Sequence, residues 1–283
     1  MKDLSRRMIA SGIAIAIVVC LVLFAFHPLF QFVVAGAVAA IAGVAVWEYA
    51  QLALAKGCKV VLPILITLTL LLVLSFFIAQ LPRYARYDGL PLILFFVSLF
   101  TLFALHFRSK EGAIVDLAVS SFGLLYIAIP LGMLLGILYL DIEDGRWWVA
   151  YLLVVTKITD MGGYFGGSLW GKRKLAPMIS PSKSVEGAIC GLLCAMGASF
   201  VFHRLSKYSE PNQFNLDNME WICLGLLLGL LGQFGDLAES LLKRDANKKD
   251  SNALPGLGGV LDSVDSLLFN IPILYLYLYL IKV

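Results

Sequence analysis

Apolar stretches long enough to cross about 30 Å of hydrocarbon recur near residues 8–26, 29–47, 60–80, 90–107, 114–140, 148–169, 185–203, 219–235 and 264–281. The pattern predicts an all-α polytopic membrane protein with about nine transmembrane helices. Two stretches are irregular: the fifth contains Pro130, and the sixth contains Lys157 and Asp160. The first stretch follows Lys2, Arg6 and Arg7 but no small-residue cleavage site follows it, so it reads as a retained helix. The polar segments leave no room for a separate soluble domain. Residues 1–140 read as N-terminal transmembrane helices, and 141–283 as a C-terminal catalytic region with motif loops at 170–184 and 236–263.

Composition sharpens this picture. Of the 283 residues, 60% are hydrophobic and 14% charged, where a soluble domain carries about 25% charged residues. Mean hydropathy is +0.88. A net charge of +3 gives no argument for nucleic acid. Cys20, Cys58, Cys190, Cys194 and Cys223 form no CxxC pair and read as small apolar fillers of membrane helices. The distribution of basic residues sets an orientation. With the N-terminus in the cytoplasm, 15 of the 22 Lys and Arg residues fall on the inside, six fall outside and Lys157 lies within a span. Both motif loops then face the cytoplasm, where nucleotides are found, and the C-terminus lies outside.

The chemistry-bearing residues follow Thr156. In the segment from Gly235 to Ser266, helical spacing gathers Asp236, Ser240, Lys243, Asn247 and Asp250 on one face. A carboxylate, a hydroxyl and an ammonium on one stripe suit a metal ion and phosphate oxygens. The alternative is a solvated helix with Glu239–Lys243 and Ser240–Arg244 at i,i+4. Pro255-Gly256-Leu257-Gly258-Gly259 then makes a loop whose backbone can approach a ligand closely. A helix starting near Asp262 carries Asp262 and Asp265, three apart, at the mouth of the last span. Two acidic groups beside a membrane call for cations, and Mg²⁺ with phosphates is a natural partner. The alternative there is an N-cap Asp262 with Asp265 in the first turn.

This segment resembles the signature of the phosphatidate cytidylyltransferase, or CDP-diacylglycerol synthase, family: S-x-x-K-R, a spacer, K-D, then P-G-H-G-G-x-x-D-R-x-D. Ser240, Lys243, Arg244, Lys249, Asp250, Pro255, Gly256, Gly258, Gly259, Asp262 and Asp265 match it. Leu257 stands in place of the family's histidine and Ser263 in place of its arginine, and the stretch from Asp250 to Pro255 is one residue short. A second block is similar to the family from Asp160 through Gly163-Tyr164-Phe165-Gly166, Gly171-Lys172 and Ser180-Pro181 to Lys183 and Glu186-Gly187. Where the family shows W-E-G, this chain has Val185-Glu186-Gly187. Gly162, Gly163, Gly166 and Gly167 also have small-xxx-small spacings that serve close helix packing in lipid.

The resemblance implies attack of a phosphatidic acid phosphate on the α-phosphorus of CTP, yielding CDP-diacylglycerol and pyrophosphate in phospholipid biosynthesis. It implies one or two divalent ions (Mg²⁺), with a monovalent cation as an addition, held by Asp236, Asp262 and Asp265, with Asp160 and Asp250 as further candidates. Lys243 and Arg244 would hold phosphates with Ser240, Lys249 and the Gly258-Gly259 backbone, while Lys172, Ser182 and Lys183 would meet substrate from the other loop. Arg173 and Lys248 are the cations left to replace the arginine lost at Ser263. His27, His106 and His203 lie away from the motif and receive no role. The expected setting is the inner membrane, multi-pass, with a cytoplasmic active site, and a homodimer is admitted. The rivals are a CTP-dependent lipid kinase or polyprenyl-phosphate cytidylyltransferase, a transporter built around Asp160, and a non-catalytic homologue.

Overall fold

The computed structural model describes residues 2–81, 87–107, 111–140, 143–208, 213–248 and 259–282. Every apolar stretch is helical among them. The helices are α1 Lys2–Leu23, α2 Phe30–Ala55, α3 Leu62–Gln80, α4 Leu90–His106, α5 Ala113–Gly123 and α6 Ile129–Leu138. After these come α7 Gly145–Trp170, α8 Val185–Ser206, α9 Glu220–Asp245 and α10 Val260–Tyr277. α5 and α6 form one rod through a π-helical turn at Leu124–Ala128, and a second π-helical turn, Leu278–Lys282, ends α10. The first irregularity has a local cause. The ring of Pro130 would clash with the carbonyl four residues back, at Tyr126, and the wider turn falls there.

By length and composition, α2, α3, the α5–α6 rod, α8, α9 and α10 with its π-helical end are able to cross a membrane. α4 is apolar and shorter. α7 has 26 residues but carries Arg146, Lys157 and Asp160. The molecule is thus a helical membrane protein, with one correction to the all-α expectation. The loop at 170–184 contains an antiparallel hairpin, β1 Lys174–Ala176 with β2 Ser180–Ser184, registered by Lys174 opposite Ser184 and Ala176 opposite Ser180. The other motif loop is shorter than its sequence bounds, because Asp236–Asp245 belong to α9 and α10 begins at Val260.

The chain divides into two compact units, Met1–Gly136 with Lys248–Ser263, and Ile137–Asn247 with Val264–Val283. In the first, α3 packs between α2 and α4 over Leu65, Leu72, Val73 and Ile127, all fully buried. In the second, α8 lies between α7 and α9.

The α7–α8 contact is the closest, and glycine makes it so. A Cβ on Gly166 would stand 2.3 Å from the Cβ of Cys190, and one on Gly162 would stand 2.6 Å from the Sγ of Cys194. From the other side, a Cβ on Gly187 would meet the Gly163 carbonyl at 2.7 Å and one on Gly191 the Thr159 carbonyl at 2.8 Å. In lipid, where the hydrophobic effect does not drive helices together, such close backbone packing is a main source of cohesion. Cys190 and Cys194 serve as small fillers, as expected, and all five cysteines are free. Gly166→Val is therefore expected to destabilise the protein by about 1–3 kcal/mol, read as a lower melting temperature in detergent. An unchanged melting temperature would rule out this packing.

Candidate active site

Three helices and the hairpin of the second unit bring their polar groups to one place. α7 supplies Asp160, α9 supplies Asp236, α10 supplies Asp265 and Ser266, and β2 supplies Lys183. The approach of α9 to α10 depends on Gly235, where a Cβ would lie 2.6 Å from the carbonyl of Asp265. Lower in the same seam, Asn270 Nδ2 donates to Thr156 Oγ1 at 2.8 Å, which ties α10 to α7 through two buried side chains. These contacts carry Asp236 and Asp160 toward Asp265.

Asp265 is only 6% exposed. Its Oδ1 accepts the Ser266 backbone N–H at 2.6 Å. The Ser266 hydroxyl lies 3.2 Å from Asp265 Oδ1 and 3.3 Å from Asp160 Oδ1, so its one proton serves two carboxylates. Asp160, Asp236 and Asp265 all stand within electrostatic reach of one another. Two ammonium groups answer them: Lys183 Nζ is 2.5 Å from Asp236, and Lys157 Nζ is 3.6 Å from Asp160. With all three carboxylates ionised, two ammonium groups would leave one negative charge in excess at the edge of a low-dielectric region. A bound cation would offset that excess.

This charge excess is the test of whether the residues fit magnesium. Among the described residues, no three His, Cys, Asp or Glu side chains form a ready-made cage. Mg²⁺ in nucleotide sites typically takes one or two carboxylates and completes its shell with water and substrate phosphates. Asp236 and Asp265, with Asp160 beside them, are oxygen donors of the kind magnesium takes in such sites.

The other expected residues separate. Lys243 pairs with the buried Glu239 one turn back, which is the i,i+4 alternative. Arg244 is exposed, and its Nε donates to the Ile179 carbonyl at the tip of the hairpin, 3.1 Å away. Ser240 is half-buried on α9, while Lys172 and Ser182 are exposed on the hairpin segment. Asp262 is half-buried in the first turn of α10 and does not precede it as a cap. Asn247 lies past the end of α9 with φ +55°, so it leaves the stripe assigned to it. Gly259 is buried just before α10, whereas Lys249, Asp250 and Gly258 lie outside the described residues.

Two structural roles escaped the sequence. Ser184 caps α8 by accepting the Gly187 N–H at 3.1 Å. Glu186 accepts the backbone N–H groups of Lys172 (3.0 Å) and Arg173 (3.1 Å), so it shapes the basic segment that leads into the hairpin. The Glu-Gly pair of the resemblance was the available signal. Its purpose was not readable, because the partners lie 13 and 14 residues upstream.

Comparisons with known proteins agree with one another. The model described as "Cytidylyltransferase family" matches residues 5–281. A phosphatidate cytidylyltransferase of Chlamydia pneumoniae is 36% identical over 287 residues, covering 98% of this chain and 92% of the relative. One of Haemophilus influenzae is 30% identical over 326 residues, covering 98% of this chain and all of the relative at 100%. One of Bacillus subtilis is 43% identical over a shorter span of 137 residues, 48% of this chain and 49% of the relative.

Proposed function

The chain belongs to the cytidylyltransferase family, and from that premise we propose how its residues divide the work of the reaction. It is a CTP-using nucleotidyltransferase of lipid biosynthesis, converting CTP and phosphatidate to CDP-diacylglycerol and pyrophosphate. An oxygen of the lipid phosphate forms a bond to the α-phosphorus of CTP as the bond from that phosphorus to the departing pyrophosphate oxygen breaks. A phosphate monoester has a second pKa of about 6, so the nucleophile is already anionic at neutral pH. Proton removal is not the difficulty. The barrier is the approach of two highly charged anions, and positioning and charge neutralisation lower it.

The observation that carries the reading is the meeting of Asp160, Asp236 and Asp265 from three helices beside Lys183. In our reading Asp236, Asp262 and Asp265 hold the divalent ion, with Asp160 supporting them and Asp250 as a further ligand. Magnesium bound there would screen the phosphate oxygens of both substrates. Lys183, now on Asp236, would exchange that carboxylate for a substrate phosphate, which would leave Asp236 able to hold the cation. Arg244 and Lys172, both exposed on the same motif segments, take the outer phosphates. Lys243, Lys249, Ser240, Ser182 and the Gly258-Gly259 backbone complete the reading. Leu257 removes an acid–base group that this chemistry does not require.

We place about nine spans across the inner membrane, N-terminus in the cytoplasm and C-terminus outside. Support comes from the 15 of 22 basic residues that this arrangement leaves inside. The site then opens to cytoplasmic CTP while its apolar surroundings admit the lipid.

The test is purified protein with α-labelled CTP, magnesium and phosphatidic acid. Label is expected in the lipid, with release of pyrophosphate. Label remaining in CDP would identify a lipid kinase instead, and incorporation only with polyprenyl phosphate would change the substrate.

A further inference from the structure

Glu48, in the second half of α2, is a charged side chain with 1% exposure. Its two carboxylate oxygens accept the backbone N–H groups of Val260, at 3.0 Å, and Leu261, at 2.7 Å. These are the first residues of α10, and helix geometry leaves their N–H groups without a partner inside the helix. Most helices satisfy such donors with a Ser, Thr, Asp or Asn at the cap position. Here that position is Gly259, which has no side chain to offer. The acceptor comes instead from 212 residues away.

The same stretch of α2 also holds the near side of the glycine-rich segment. The Gln51 carbonyl accepts from Lys248 Nζ at 3.4 Å. Lys248 precedes residues 249–258 and Val260 follows them, so α2 grips the chain on both flanks of Pro255-Gly256-Leu257-Gly258. On the far flank, Ser263 Oγ donates to the Gly259 carbonyl at 3.0 Å, closing the first turn around Asp262. A glycine at the cap puts no side chain between the backbone and a ligand. The Glu48 carboxylate satisfies the helix end from behind the turn and complements its positive dipole.

We infer that Glu48 is a positioning residue for the cytidylyl transfer: by holding the Val260 and Leu261 N–H groups it sets where the Gly259 backbone and the Asp262 carboxylate meet the nucleotide phosphates. This rests on the reading that Gly259 and Asp262 face phosphate and cation. A side chain that only stabilises the fold would alter the melting temperature and leave the kinetic constants of the folded enzyme unchanged. A positioning residue alters those constants in enzyme that remains folded.

The experiment compares wild type, Glu48→Gln, Glu48→Asp and Asp262→Asn, each purified in detergent, over a range of CTP concentrations. A misplacement of about 1 Å can cost about 10²-fold in rate. Gln turns an amide N–H₂ toward one of the α10 donors, and kcat/KM for Glu48→Gln is expected to fall by about tenfold to a hundredfold. Asp keeps the charge but is one methylene shorter, so Glu48→Asp should fall less and thus rescue part of the loss. Wild-type kcat and KM in folded Glu48→Gln, or a lowered melting temperature with unchanged constants, would overturn the inference. If the Gln variant yields no folded protein, Glu48→Asp decides: impaired constants support the inference and wild-type constants overturn it. An inactive wild type would instead refute the functional reading, and an undiminished Asp262→Asn would refute the role of Asp262. Either result also removes the basis for Glu48.

Discussion

Replacing Asp265 by asparagine is expected to lower CDP-lipid formation by on the order of 10²–10³-fold, the scale on which removal of one preorganised electrostatic group acts in other enzymes. The substitution conserves shape. Asp265 Oδ1 accepts the Ser266 N–H, and an asparagine carbonyl oxygen can continue to do so. Packing of α10 against Gly235 uses the backbone carbonyl of residue 265, which the change leaves in place. Removing one of three mutually repelling carboxylates also relieves the charge excess, so the melting temperature should stay level or rise. Loss of activity with retained stability is what separates a working carboxylate from a structural one. Activity assays with α-labelled CTP and thermal melts in the same detergent read both quantities. A fully active Asp265→Asn protein would remove this carboxylate from the mechanism.

Much of the architecture was readable because its signals are local. An apolar run of the right length needs no knowledge of its neighbours to become a helix, and each run did so. The glycine spacing at 162 and 166 was also readable, since one face of a helix is set by sequence distance, and Cys190 and Cys194 occupy the opposing surface. The stripe on α9 was half right. Its periodicity holds to Asp245, beyond which Asn247 takes a left-handed conformation and the face is lost.

The rest of the site was hidden for a common reason. Lys183 meets Asp236, Asp160 meets Ser266, and Glu48 meets the start of α10 through pairings of a few ångströms between residues 53 to 213 positions apart. No periodicity records such a contact. Glu48 in particular lies in an apolar helix, where the hydropathy pattern registers only a tolerated exception. Lys243 shows the opposite case: its pair with Glu239 lies one turn away and was readable from the i,i+4 spacing. Lys243 is paired with a buried carboxylate and Lys183 with the more exposed Asp236, so Lys183 is the better placed to exchange its partner for a phosphate.

That exchange makes the dependence on divalent cations the sharpest remaining expectation. With Lys183 on Asp236 and Lys157 on Asp160, the cluster would keep one net negative charge once all three carboxylates are ionised. An incoming phosphate would draw Lys183 away and raise the excess to two, a state costly beside hydrocarbon unless a cation enters with it. Chelation with EDTA should therefore arrest turnover, and added Mg²⁺ should restore it. Asp236→Asn should raise the Mg²⁺ concentration needed for half-maximal rate by about tenfold, equivalent to about 1.4 kcal/mol of lost binding, if the remaining carboxylates still recruit the ion. Binding can be read without turnover, from the spectrum of Mn²⁺ titrated into the protein with CTP. Wild type should immobilise the ion, and Asp236→Asn should do so more weakly. Full turnover in EDTA, or Mn²⁺ binding unaffected by Asp236→Asn, would show that the carboxylates serve only to hold Lys183 and Lys157 in place.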